Sequence, residues 1–311
     1  MRVYTAADVA AATPYRDLIE TLRRGFCEPA ETPVRHHHDP APTTTLLLMP
    51  AWTPKWTGLK VVTVKTDNAA LGLPTVQGSY LLLDNATGAP VAMMDGTELT
   101  RRRTAAASAL AADYLARPDA KTLAIFGAGA LAAHFLQAHA SVRPIERVLI
   151  VNRSQDKASE VARIIESLGL EAEVARAERA AKEADIISCV TSSTVALLHG
   201  AWLKPGTHID LAGAFKPTMR ETDGDVIAMS SVYVDTRDGA LAEAGDLLQA
   251  RDEGKFDFAN IKGDLFDLCQ GRVRGRQNGR EITLFKSCGT AIEDLAAAVM
   301  VHLRNASSNA N

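Results

Sequence analysis

The sequence predicts an α/β protein in which a doubly wound parallel sheet follows a smaller α+β region with a mainly antiparallel sheet. Three observations carry this. From Lys121 onward, short apolar runs alternate with helical stretches, the rhythm of a parallel sheet covered by helices on both faces. Before that point, strand-like runs succeed one another with turn residues between them, as in an antiparallel sheet. The length, 311 residues, exceeds what one core usually serves, so two domains are expected.

Taken in order, residues 5–26 read as one or two short helices, the second started by Pro14, since proline suits a first turn. Residues 28–43, EPAETPVRHHHDPAPT, are polar and proline-rich and read as loop. Strand-like runs follow at Thr45–Met49, Leu59–Val64, Ser79–Leu83 and Val91–Met94, and Asp84–Gly88 predicts a hairpin between the last two. Residues 98–116 have strong helix propensity, and Arg117-Pro118-Asp119 ends that helix. Parallel strands are expected at 122–126, 147–151, 172–174, 186–190, 208–211 and 232–234, with helices at about 130–141, 155–168 and 178–183. A last strand at 282–285 leads through Ser287-Cys288-Gly289-Thr290 to a terminal helix, 291–304, expected to pack back on the first domain. The polar tail 305–311 is expected to be disordered. The division is therefore 1–117 with 291–311, and 118–290.

Composition narrows the function. A formal charge of −3 points to neither a nucleic-acid nor an anionic-membrane partner. Cys27, Cys189, Cys269 and Cys288 form no CxxC pair, so neither a zinc site nor a disulfide framework is indicated. There is no signal-peptide core and no membrane-length apolar run, and a cytoplasmic setting fits.

The segment AIFGAGALAAHF, 124–135, sits where a dinucleotide turn must sit, after a buried strand and before a helix. Gly127 and Gly129 supply the positions where a side chain would block the turn or a pyrophosphate. Ala128, Ala130 and Leu131 complete the turn, and Ala132 is small where helix meets strand. The alternative is a glycine corner without a ligand. Asn152-Arg153-Ser154 stands at the usual distance for the residues that read the ribose, and it lacks the carboxylate of an NAD site. A guanidinium there suits a 2′-phosphate, so NADPH is favoured with NADH still possible, unless Arg153 is only a solvated loop charge. Thr191 and Ser192 follow a strand end and are placed beside the cofactor, or else cap a helix.

On the substrate side, Lys60 alternates with Val62 and Val64 onto one strand face. It needs an anion there or must give up its proton, unless it lies at an edge and reaches water. Of Arg101-Arg102-Arg103, only Arg103 shares a helical stripe with Ala106, Ala107, Leu110 and Tyr114, and Arg101 or Arg102 reads as a solvated corner. His36-His37-His38 cannot readily converge on one ion, and no metal site is expected. Arg35 is the better candidate there, as a carboxylate clamp. No nucleophilic triad stands out.

The segments LMP (48–50), GLKVVTV (58–64), GLPTVQGSYLLLDNATGAPVAMMDG (72–96), LTRRRTAAASALAADYLA (99–116), the turn at 127–132, AGAFKPTMRETD (212–223) and FKSCGTAIEDLAAA (285–298) together resemble the ornithine cyclodeaminase/mu-crystallin family. The resemblance implies a Rossmann domain inserted into a substrate and dimerisation domain, a symmetric homodimer, and small α-amino or α-imino acid substrates. It implies that Lys60 and Arg103, with Arg35, hold the substrate carboxylate; Lys60 is the catalytic candidate, and either Lys60 or a water protonates the imine nitrogen. It implies Gly213 in the cofactor loop and Gly289 and Thr290 near the nicotinamide.

Two departures choose among activities. Cyclising members carry a glutamate where this chain has Leu47, and an aspartate where it has Phe215. Ring closure with deamination needs such proton acceptors. Their loss favours the branch that reduces cyclic ketimines such as Δ1-pyrroline-2-carboxylate or Δ1-piperideine-2-carboxylate, with Leu47 and Phe215 lining the ring. Alanine-dehydrogenase-like or cyclodeaminase activity is the alternative. A non-catalytic, NADP-dependent binding protein like mu-crystallin is a further one.

Overall fold

The structure, a computed structural model, describes residues 1–308. Two units compose it, Met1–Thr104 with Thr290–Asn311, and Ala105–Gly289.

The first unit holds a six-stranded sheet in the order β1-β6-β5-β4-β3-β2. Its strands are β1 (Arg2–Tyr4), β2 (His36–Ala41), β3 (Thr44–Trp52), β4 (Trp56–Lys65), β5 (Val76–Asp84) and β6 (Ala89–Asp95). All neighbours pair antiparallel except β1 with β6. The expected hairpin joins β5 to β6, with Gly88 at φ 69° and its N–H on the Asp84 carbonyl at 2.7 Å. Helix α1 (Ala6–Ala12) starts on a capping box between Thr5 and Asp8, and α2 (Tyr15–Gly25) follows Pro14, which sits at the cap rather than inside the first turn. Helix α3 (Gly96–Leu115) begins in this unit and runs into the second. The terminal helix, Ala291–Ser308, packs on α1, α2 and strands β3, β4 and β5.

Three expectations need correction. The segment 28–43 is not all loop: His36–Ala41 forms edge strand β2 against β3, with all six residues exposed. A strand wet on both faces has no apolar alternation to read, and Pro40 is tolerated because the edge needs no donor there. Strand β1 was missed because its three residues are too few for a period. The terminal helix continues past Arg304 to Ser308, where Asn305 Nδ2 donates to the Val301 carbonyl at 2.9 Å. The rest of the polar tail, 309–311, lies outside the described residues.

The second unit is an all-parallel eight-stranded sheet in the order β13-β12-β14-β11-β10-β7-β8-β9. Its strands are β7 (Thr122–Phe126), β8 (Arg147–Val151), β9 (Glu171–Val174), β10 (Ile186–Cys189), β11 (His208–Leu211), β12 (Ser231–Val234), β13 (Gly263–Asp264) and β14 (Thr283–Lys286). Its helices are α4 (Ala132–Ala140), α5 (Gln155–Ser167), α6 (Ala177–Glu183), α7 (Gly224–Ala228), α8 (Arg237–Glu243), α9 (Gly245–Asp252) and α10 (Leu265–Cys269). Strands β10, β11 and β14 are buried along their whole length, as central strands of a parallel sheet covered on both faces are, and they bury Ser188, His208, Asp210, Thr283 and Lys286 among their apolar residues. From β7 the chain winds outward through β8 and β9, then returns to β10 on the other side. The sheet therefore reverses its order between β7 and β10, where crevices open beyond the strand ends.

Candidate active site

On β4, Lys60, Val62 and Val64 are buried, while Leu59 and Thr63 are half-buried and Val61 is exposed. Lys60 thus shares the inner face, and its register neighbours Met49 on β3 and Tyr80 on β5 are buried too. Lys60 is only 1 % exposed, so its ammonium must find a partner within the unit. The partner is Asp294 on the terminal helix, whose Oδ2 accepts from Lys60 Nζ at 2.7 Å. Arg103, from α3, reaches the same carboxylate: its Nε donates to Asp294 Oδ1 at 2.9 Å and its Nη1 to Glu293 Oε2 at 2.5 Å. Asp294 therefore bridges the two cations.

Arg35, half-buried just before β2, adds a third positive charge that Lys60 feels. Burial, then the Arg103 charge, pulls Lys60 down to about 7, with Asp294 working against them and Arg35 adding to the fall. Leu47, 4 % exposed on β3, pairs in register with Val62 and adds an apolar wall to the same face.

The other two arginines of the triple have structural partners. Arg102 donates to Glu98 at 2.7 Å and to the Thr13 carbonyl at 3.0 Å, and it lies over the Tyr15 ring, so it is no solvated corner. Arg101 stands 3.8 Å from Glu98 with a third of its side chain exposed. His36, His37 and His38 alternate along the edge strand, and among the described residues no group of three or more His, Cys, Asp or Glu could hold a metal ion.

In the second unit the turn after β7 is built as its glycines require. Gly127 has φ 118°, and a Cβ there would lie 2.9 Å from the Val190 carbonyl oxygen and 3.2 Å from Thr191 Cγ2. A Cβ on Gly129 would meet nothing within 4 Å, so the turn is open in front. Among the described residues, no backbone carbonyl takes the N–H groups of Ala128, Gly129, Ala130 and Leu131. Open space before a row of amides that ends at the start of α4 fits the diphosphate of a dinucleotide.

Around that turn, Asn152 Nδ2 donates to the Ser154 carbonyl at 3.0 Å, Ser154 caps α5, and Arg153 is exposed. Thr191 donates its N–H and hydroxyl to Glu221 at 2.7 and 2.9 Å, while Ser192 is exposed. Gly213 donates to the other Glu221 oxygen at 2.8 Å, and Phe215 is half-buried two residues on. Gly289, at φ 83°, donates with Cys288 to Asp235 Oδ2, at 2.5 and 2.7 Å. Thr290, in the first unit, shares a 2.9 Å hydrogen bond with Thr32.

Four acidic residues that organise these clusters escape sequence reading: Asp294, Glu293, Glu221 and Asp235. Asp294, Glu293 and Asp235 lie far along the chain from what they hold, as Glu221 does from Thr191, and an acidic residue in a helix or loop reads as solvated surface. Buried Ser188, His139 and Asp210 carry triad residue types, Ser188 Oγ lying 3.0 Å from each of the other two, but all are fully buried in the core. No helix among the described residues is long and apolar enough to cross a membrane.

The chain matches the model of the ornithine cyclodeaminase/mu-crystallin family over residues 2–309. It is 39 % identical over 297 residues to a Δ1-pyrroline-2-carboxylate reductase of Paracoccus denitrificans, covering 94 % of this chain and 93 % of that protein. It is similar to a solved Δ1-pyrroline-2-carboxylate reductase of Thermococcus litoralis in complex with NADH and L-proline, at 34 % identity and TM-score 0.96, over 99 % of this chain and 98 % of that one. An archaeal alanine dehydrogenase dimer with bound NAD aligns at 28 % identity and TM-score 0.94, over 99 % of this chain and 97 % of that one. A whole-length family match and relatives of this identity agree with one another: the chain belongs to the ornithine cyclodeaminase/mu-crystallin family.

Proposed function

We propose that this protein reduces a small cyclic imino acid, Δ1-pyrroline-2-carboxylate or Δ1-piperideine-2-carboxylate, to L-proline or L-pipecolate, with NADPH preferred over NADH. The chain is an oxidoreductase acting on C=N bonds, of the Δ1-pyrroline-2-carboxylate reductase type. The observation that carries the substrate reading is the buried Lys60–Arg103 pair on the inner sheet face, beside apolar Leu47.

Lys60, Arg103 and Arg35 hold the substrate carboxylate. Leu47 contacts the ring methylenes, and Phe215 likewise offers no proton acceptor where cyclising relatives have one. The turn 127–131, with Asn152, Arg153, Ser154, Thr191, Ser192, Gly213, Gly289 and Thr290, would hold the nicotinamide nucleotide, which would supply the hydride that the imine carbon takes up. Lys60, at about 7, is poised to give a proton to the ring nitrogen near neutral pH. Orientation by the carboxylate clamp supplies the rest of the rate, since hydride transfer depends on geometry more than on acid–base groups. Arg153 supports NADPH: it is an exposed guanidinium at the end of β8, with no carboxylate among residues 152–154.

A homodimer belongs to the same proposal. On the outer face of the six-stranded sheet, Val3, Met93, Leu81, Leu59 and Pro50 form a continuous cross-strand row. Val3 and Met93 are 64 % and 39 % exposed, an apolar row that a second copy would cover.

The test is a panel on the purified protein: NADPH and NADH oxidation with each cyclic imine, beside NAD-dependent ammonia release from L-ornithine and L-alanine. Turnover of the imines alone is expected. Release of ammonia from either amino acid at a higher kcat/KM than imine reduction would move the assignment to that activity, and tight nucleotide binding without turnover to a binding protein.

A further inference from the structure

We propose that Glu221 is a positioning residue for the nucleotide: its carboxylate clamps the loop after β10 to the loop after β11 and so shapes the lip of the crevice. This rests on reading that crevice as a nicotinamide-nucleotide site.

Glu221 is fully buried between β11 and α7. Its Oε1 accepts from the Thr191 N–H at 2.7 Å and the Thr191 hydroxyl at 2.9 Å, and its Oε2 accepts from the Gly213 N–H at 2.8 Å. Thr191 lies two residues beyond β10, and Gly213 two beyond β11. The two loops close tightly on the clamp, since a Cβ on Gly213 would stand 2.1 Å from the Thr191 carbonyl oxygen and 2.3 Å from Glu221 Oε1. The clamp also abuts the phosphate turn through Thr191 Cγ2, which a Cβ on Gly127 would meet at 3.2 Å.

Glu221 is itself held from behind. Its N–H and that of Thr222 donate to Asp246 Oδ1 at 2.7 and 3.0 Å, and Lys286 Nζ stands 3.3 Å from Asp246 Oδ2. Asp246 is in the first turn of α9 and Lys286 ends β14, both buried. Backbone bonds alone could close these loops. A buried carboxylate backed by a buried lysine instead fixes their spacing, because each member loses its partner if the other moves.

Glutamine at this position keeps an acceptor for Thr191 but turns an amide N–H toward the Gly213 N–H, two donors face to face. NADPH affinity and the unliganded thermal midpoint are to be measured for the full-length wild type, Glu221→Gln and Thr191→Val. Glu221→Gln should weaken NADPH about tenfold or more and lower its unliganded midpoint, and Thr191→Val, which removes one donor of three, should weaken NADPH about threefold with its midpoint little changed. Burial pushes the Glu221 carboxyl up to about 7, Lys286 opposing and Asp246 adding to the rise, with the Cys189 thiol the other titratable group it faces. Wild-type affinity for NADH, which lacks the 2′-phosphate that itself titrates at about 6, should therefore fall as the pH drops from 8 to 6, and that dependence should vanish in Glu221→Gln. Wild-type affinity in both variants overturns the proposal. If Glu221→Gln does not fold, Thr191→Val decides: unchanged affinity overturns it. A wild type that binds no nucleotide overturns the reading of the crevice instead.

Discussion

At the scale of single residues, Asp294 decides what the two cations can do. It spaces Lys60 and Arg103 by giving one oxygen to each, and Glu293 pins the far side of the guanidinium. Lys60→Ala strands Asp294 without its ammonium partner and deletes a carboxylate contact. Removing one member of such a buried pair costs about 2–5 kcal/mol, so kcat/KM for the imine should fall about 30-fold to 5000-fold while nucleotide affinity stays put. On the proposed reading the protonated form of Lys60 binds the carboxylate, and burial lowers its ordinary value to about 7. Wild-type kcat/KM, which reports the free enzyme, should therefore decline as the pH rises through about 7. Lys60→Arg stays charged, so that limb should leave the neutral range, while kcat falls because a guanidinium gives up no proton there. A limb unchanged in Lys60→Arg would assign it to another group. Lys60 was legible in the sequence because strand alternation fixes its face. Asp294 and Glu293 were not, because only the packing of the terminal helix on β4 brings them there.

At the scale of elements, the turn after β7 ties strand, loop and helix to one conformation. Gly127→Ala needs a side chain at φ 118° and 2.9 Å from the Val190 carbonyl. Such strain costs about 1–3 kcal/mol, and relieving it moves the amides that follow. The thermal midpoint should drop and nucleotide affinity should be lost. A variant that melts lower yet binds NADPH as tightly as the wild type would separate the turn from the phosphates. Strands such as β7 and β8 and the amphipathic helices were readable because burial on both faces leaves an apolar run and one apolar stripe leaves a period. The region 224–269 was not, beyond β12. Its short helices α7, α8 and α10 begin on caps by Asp223, Thr236 and Asp264, which leave no amphipathic period. Nor could periodicity tell that β14, late in the chain, inserts between β11 and β12.

At the scale of the whole molecule, the antiparallel-then-parallel order was visible in the sequence and is present in the two sheets. The chemistry is divided likewise: cations and carboxylates in the first unit, amide-lined turns held by buried carboxylates in the second. The account stands on the idea that a carboxylate, and not merely a C=N bond, is what the first unit selects. A site built around a charged group rejects an analogue lacking it far more strongly than an apolar pocket rejects a missing methylene. The most direct measurement is the ratio of kcat/KM, with NADPH, for Δ1-pyrroline-2-carboxylate over Δ1-pyrroline, which has the same ring and imine but no carboxylate. A ratio of about 10³ or more is expected, falling about tenfold or more in Lys60→Ala, where Arg103 and Arg35 remain. Comparable rates on the two imines in the wild type, or none on the carboxylated one, would contradict it.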